Sequence, residues 1–150
     1  REAGGKSNLL LVGNPLWTYA EMDTALSNSN FADQIMCTGH LAIEDLILVL
    51  GAAQALIFPS FFEGFGIPII EAFAAGTPVI CSDQTSLPEV AGDAALYSAP
   101  ENHALIAEHM ITIEKNVSIR ETLTQQGFER VSNYSWDLTA NKIDQALFQS

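Results

Sequence analysis

The hydrophobic pattern of this chain switches repeatedly between short continuous runs and helical spacing. Asn8-Leu-Leu-Leu-Val12 is an apolar run stopped by Gly13, as expected of a strand covered on both faces. Pro15 to about Asn28 then reads as a helix and Gln34–Thr38 as a second strand. Ala42 to Gly51 returns to helical spacing, with Glu44 and Asp45 in the first turn, where the free amides of a helix favour negative charge. Ala55–Phe58 predicts a third strand, ended by Pro59. Beyond a glycine-bearing loop, Pro68 suits the first turn of a helix whose apolar face holds Ile69, Ile70 and Phe73 and which runs to Gly76. A fourth strand at Pro78–Cys81, a short helix after Ser86 and a fifth strand around Ala95–Tyr97 follow. Helical patterns over His103–Lys115, Ser118–Tyr134 and Trp136–Phe148 close the chain. Strands alternating with helices predict an α/β fold, a Rossmann-like doubly wound parallel sheet that binds ligands outside the carboxyl ends of its strands.

Composition narrows the partners. With 150 residues, 48% hydrophobic and 16% charged, the chain is sized for one folded domain. Its net charge of −12 repels a nucleic-acid backbone and an anionic lipid surface, so nucleic acid is not an expected partner. A phosphorylated ligand remains compatible, because main-chain amides and a helix N-terminus act locally. No apolar run reaches the roughly 18 residues of a membrane span, and no basic stretch leads into an apolar one at the start, so the cytoplasm is the expected location. Cys37 and Cys81 each close an apolar run and read as small buried thiols, with a disulfide disfavoured. His40, His103 and His109 lie far apart, no Asp-x-Asp pair occurs, and neither a metal nor a cofactor is expected. No Gly-x-Gly-x-x-Gly follows a strand, which argues against dinucleotide oxidoreduction.

The segment Phe58-Pro-Ser-Phe-Phe-Glu-Gly-Phe-Gly-Ile-Pro-Ile-Ile-Glu-Ala72 concentrates the candidate chemistry. Glu63 and Glu71 flank a turn in which Gly64 and Gly66 are free to adopt backbone conformations closed to other residues, letting a ligand approach the main chain. Paired carboxylates suit a polyhydroxylated ligand, since each accepts several hydroxyl hydrogen bonds, while glycine amides serve phosphate oxygens. Glu71 is expected within about the first helical turn, beside free amides. Plainer readings stand beside these: a helix-start carboxylate for Glu71 and a solvated loop acid for Glu63. Thr85 and Ser86 either reach a phosphate or cap the next helix, and capping is preferred. Glu89 reads as structural, and Trp136 as core or interdomain packing.

The ordered set Glu63-Gly-Phe-Gly-Ile-Pro-Ile-Ile-Glu71, Gly76-Thr-Pro-Val-Ile80 and Leu87-Pro-Glu-Val90 resembles the donor-binding half of the retaining GT-B glycosyltransferases of family 4, the group 1 enzymes. Phe58-Pro-Ser60, Gly92-Asp-Ala-Ala-Leu96 and Tyr134-Ser-Trp136 extend the likeness over roughly residues 35 to 140. The resemblance implies that the chain is one half of a GT-B fold and binds a nucleotide diphosphate sugar. It gives Glu71 the ribose hydroxyls and Glu63 the sugar hydroxyls and the catalytic role. It places Gly64, Phe65, Gly66 and Ile67 around sugar and diphosphate, and His40 and Leu41, after the second strand, beside the base; a merely solvated His40 stays open. Members also carry a leading strand and helix with an arginine and a lysine for the diphosphate, and an N-terminal acceptor domain. Neither is identifiable here, because Arg1 and Lys6 stand too close to the first strand, so residues 1–150 are expected to be a donor domain working with an N-terminal domain of the same protein. Membrane association of that whole protein is left open. The alternatives are another GT-B enzyme, such as a sugar-nucleotide epimerase, or a degenerate nucleotide-sugar-binding module.

Overall fold

The computed structural model describes residue 2 and residues 4–14 and 20–148. Five strands alternate with helices: β1 (Leu9–Val12), α1 (Ala20–Ser27), β2 (Ile35–Gly39), α2 (Ile43–Ala52), β3 (Leu56–Phe58), α3 (Ile67–Ala74), β4 (Val79–Ser82), α4 (Leu87–Ala91), β5 (Ala95–Ser98), α5 (His103–Lys115), α6 (Val117–Val131) and α7 (Trp136–Phe148). Most bounds fall within a residue or two of those expected. The first part of the helix expected from Pro15, residues 15–19, lies outside the described residues. Gln34 ends a short 3-10 turn instead of opening β2, and α6 stops at Val131, three residues before Tyr134.

Every strand pair is parallel, but the ladder is divided: β1 pairs with β2, and β3-β4-β5 form a separate three-stranded sheet. Among the described residues no ladder joins the two, and the α/β fold with parallel strands expected from the pattern is present in both. In the larger one, β4 is central and buried along its whole length. Its side chains alternate between two cores, as the period of a strand requires. Val79 and Cys81 join Ile69, Ala72, Phe73, Leu87, Val90 and Ala91 on one side. Ile80 meets Ile113 and Leu123 on the other. Both faces are thereby covered, which is why this run carries no polar alternation.

Helix α3 is held tightly. Pro68 stands in its first turn, and Ile69, Ala72 and Phe73 are buried while Ile70 is partly so. Its end is a Schellman closure: Gly76 at φ +76° donates to the Phe73 carbonyl, and Thr77 donates to that of Ala72. Thr77 is itself buried and its hydroxyl donates a hydrogen bond to Leu50 O at 2.6 Å, tying the end of α3 to the end of α2. On the outer side, Gly127 lets α6 approach so closely that a Cβ there would stand 2.8 Å from the Phe73 ring.

The two cysteines part company. Cys81 is buried in β4, whereas Cys37 is exposed on β2, correcting the expectation of two buried thiols; both are free. Burial, reinforced by the nearby Asp83 carboxylate, pushes the Cys81 thiol up to about 12. No helix among the described residues is long and apolar enough to cross a membrane.

Candidate functional site

Strand β3 ends at Phe58, and Pro59 turns the chain into a loop that occupies residues 59–66 at the carboxyl end of the sheet before entering α3. Gly66 makes that entry feasible. It sits at φ +103°, and a Cβ on it would come within 2.6 Å of Leu87 Cδ2, a side chain with no exposure of its own. Gly64 differs. Its φ is not positive, and a Cβ there would meet nothing within 4 Å, so its contribution is open space above the main chain, which corrects the expectation that both glycines adopt restricted conformations.

Glu63 is half-buried, and its carboxylate accepts no hydrogen bond among the described residues. Its backbone, in contrast, is fastened on both sides. The Glu63 N–H donates to Thr85 Oγ1 at 3.2 Å, and the Ser86 hydroxyl donates to Glu63 O at 2.9 Å, with Phe65 O at 3.1 Å sharing the same proton. Ser86 therefore does not cap α4, although it is the residue before that helix; no side-chain cap bond forms there, and the capping expectation for Thr85 and Ser86 is overturned. The loop captures both hydroxyls. Phe65, partly exposed, sets its ring edge-on against Tyr134 at 5.6 Å between centroids. Tyr134 in turn donates to Val90 O at 3.2 Å and lies under the Arg130 guanidinium.

Glu71 is half-buried but sits beyond the first turn of α3, which contains no acid. The expected neighbourhood of free amides is thus corrected: the carboxylate stands one turn further along, where the main-chain amides are committed to the helix. Ile67 opens α3 and is 55% exposed, on the solvent side of the glycine turn. His40 and Leu41 follow the carboxyl end of β2, His40 exposed and Leu41 half-buried. The structure ties this segment to the end of β1, through a bridge between Gly13 and Gly39, and brings no hydrogen bond from it to Glu63 or Glu71.

Three further residues escaped the sequence reading. Phe61 and Phe62 are 72% and 78% exposed immediately before Glu63, and nothing in a run of aromatics distinguishes a surface pair from a core pair. Tyr134 was legible only as part of a Tyr-Ser-Trp string, not as a support for Phe65. Trp136 is 85% exposed, which removes its core reading. Glu89 is exposed and contributes through its main chain, as its carbonyl accepts from Arg130. Among the described residues no three metal-ligating side chains come together.

Comparison with known proteins supplies the deciding observation. The family model described as "Glycosyl transferases group 1" matches residues 3–130. The chain belongs to the group 1 glycosyl transferases. Within this family it is 42% identical over 129 residues to O-antigen chain mannosyltransferase B of Escherichia coli, covering 86% of this chain and 34% of the relative. It is 41% identical over 95 residues to O-antigen chain mannosyltransferase RfbU of Salmonella typhimurium, covering 63% of this chain and 27% of that protein. Among solved structures, sucrose-phosphate synthase from Thermosynechococcus elongatus superposes with a TM-score of 0.83 at 29% identity, over 95% of this chain and 38% of that one. Anabaena HepE in complex with UDP-glucose gives 0.82 at 18% identity, over 95% and 41%, a likeness of fold. This group 1 glycosyl transferase chain matches 34% and 27% of the length of these two curated relatives.

Proposed function

We propose that this chain is the donor-binding half of a retaining glycosyltransferase, which holds a nucleoside diphosphate sugar, with mannose as the sugar, for transfer to an acceptor bound by another domain of the same protein. The observation that carries the reading is Glu63: a half-buried carboxylate with no partner among the described residues, on a loop whose backbone is fastened from both sides at the carboxyl edge of a parallel sheet. Such a group is poised to accept hydroxyl hydrogen bonds from a sugar. Glu71 takes the ribose end, and the open space over Gly64 admits the diphosphate against the main chain. His40 and Leu41 complete the pocket beside the base. Mannosyltransferase relatives and a structural neighbour that binds UDP-glucose support a sugar-nucleotide donor. As the diphosphate departs, positive charge develops on the sugar ring, and fixed dipoles aimed at the leaving group lower the barrier. Among the described residues β1 and β3 each have one edge without a ladder partner, which supports the further reading that another strand and helix complete the sheet and bring the basic residues for the diphosphate.

The test is a thermal-shift screen of the full-length protein against GDP-mannose, UDP-glucose and their parent diphosphates, since a ligand that binds only the folded state raises its stability by mass action. Stabilisation by a mannosyl nucleotide above its parent nucleotide is expected, with transfer that survives EDTA because the donor clamp needs no metal. A flat screen overturns the reading, and loss of transfer in EDTA with recovery in manganese overturns its metal-independent part.

A further inference from the structure

The turn between β4 and α4 is built in an unusual way. Ser82, with no exposure, accepts from the Gln84 N–H, and Asp83 donates its N–H to Ser98 O, so the turn is anchored to two strands. From that base Thr85 adopts φ +54°, the only positive value at a described residue other than glycine. A β-branched side chain there is strained. Ser86 meanwhile forgoes the helix cap it is placed to make. Both sacrifices have one result. Thr85 Oγ1 accepts from the Glu63 N–H, and Ser86 Oγ donates to the Glu63 carbonyl, so the peptide planes on either side of Glu63 are fixed while its carboxylate stays free. Local strain retained beside a candidate site is where pre-organisation is expected.

We propose that Thr85 and Ser86 are positioning residues that fix the backbone of Glu63 so that its carboxylate meets the sugar of the donor; the proposal rests on the donor-binding reading above. Neither hydroxyl touches the ligand. Both act through Glu63, and their effect falls on the sugar end of the donor and spares the nucleotide end.

The experiment uses the full-length protein with Thr85→Val and Ser86→Ala, which remove the hydroxyls, and Thr85→Ser and Ser86→Thr, which keep them. Hydrogen exchange followed by mass spectrometry, without ligand, reads the loop at residues 62–66; calorimetry reads GDP against GDP-mannose. Loss of one neutral hydrogen bond is expected to quicken exchange of the loop roughly fivefold to tenfold. Affinity for GDP-mannose is expected to fall by a similar roughly fivefold to tenfold factor while that for GDP holds, with both effects reversed in the hydroxyl-retaining variants. Unchanged exchange in the hydroxyl-less variants overturns the proposal, as do equal losses for GDP and GDP-mannose. A wild type that binds no sugar nucleotide overturns the donor reading and this proposal with it, whereas a wild type that binds one while the variants match it overturns the proposal alone.

Discussion

Gly64 and Gly66 stand two residues apart and answer to different physics. Adding a Cβ at Gly66 collides with Leu87 Cδ2 at 2.6 Å in a backbone conformation that disfavours any side chain, so Gly66→Ala is expected to destabilise the fold by about 2 to 4 kcal/mol, measured by denaturant melts. Gly64→Ala meets open space and is expected to leave stability within about 0.5 kcal/mol while weakening the nucleotide diphosphate, because the methyl group fills the approach to the main chain. On the proposed donor-binding reading, the two glutamates separate along the ligand instead. Glu71→Gln is expected to weaken GDP and GDP-mannose alike, and Glu63→Gln to spare GDP and cost the sugar-bearing donor about 1 to 3 kcal/mol, the range for a hydrogen bond to a charged group. Calorimetry on both variants decides, and equal losses of both ligands in both variants would remove the division of labour. Sequence spacing identified these acids because Glu63 and Glu71 bracket a glycine turn. It did not show that the Thr85 and Ser86 hydroxyls hold the Glu63 backbone, since the bond from Ser86 to Glu63 spans 23 residues and only the folded turn brings them together.

At the scale of elements, strand and helix positions were legible wherever burial is two-sided. Val79–Ser82 is buried at every position, and the apolar run Val79–Cys81 marks it as a central strand. What the pattern cannot encode is which strands meet: an apolar run at Leu9–Val12 and one at Leu56–Phe58 look alike, yet among the described residues the first pairs with β2 and the second with β4. The same limit applies to the thiols, for Cys37 and Cys81 end similar runs and differ only in what covers them. That difference has a pH signature. The thiol of Cys81 has its folded-state value raised from 9.0 to about 12, so its contribution to stability is complete below pH 9 and is lost as pH rises toward 12. Between those limits the unfolding free energy is expected to fall by about 1.4 kcal/mol per pH unit from this group, and the slope to flatten by that amount in Cys81→Ala. Melts across the alkaline range measure it. An unchanged slope in the variant would show that other groups carry the loss.

Considered whole, the molecule is acidic, and its exposed apolar surface is unevenly spread. Eighteen acids face six lysines and arginines, while Ile43, Ile47 and Leu48 of α2 and Trp136, Ile143 and Leu147 of α7 are each more than half exposed. A dianionic diphosphate meets a repulsive field here, weakened but not abolished by screening over about 8 to 10 Å at ordinary ionic strength. Main-chain amides offset that field only locally, so residues 1–150 alone are expected to bind a nucleotide diphosphate weakly and to transfer no sugar. A longer protein that adds a strand and helix against the edges of β1 and β3 that have no partner among the described residues is expected to gain solubility, because unpaired edges and apolar faces promote association. It is also expected to bind the diphosphate more tightly, with an affinity that falls more steeply as salt is raised, the mark of added cationic contacts. Calorimetry of both proteins at low and high salt, with product followed by mass spectrometry, compares them directly. Equal affinities with equal salt dependence would show that the diphosphate is held by amides within this chain. Sugar transfer by residues 1–150 alone would place the whole catalytic apparatus there and end the donor-half reading.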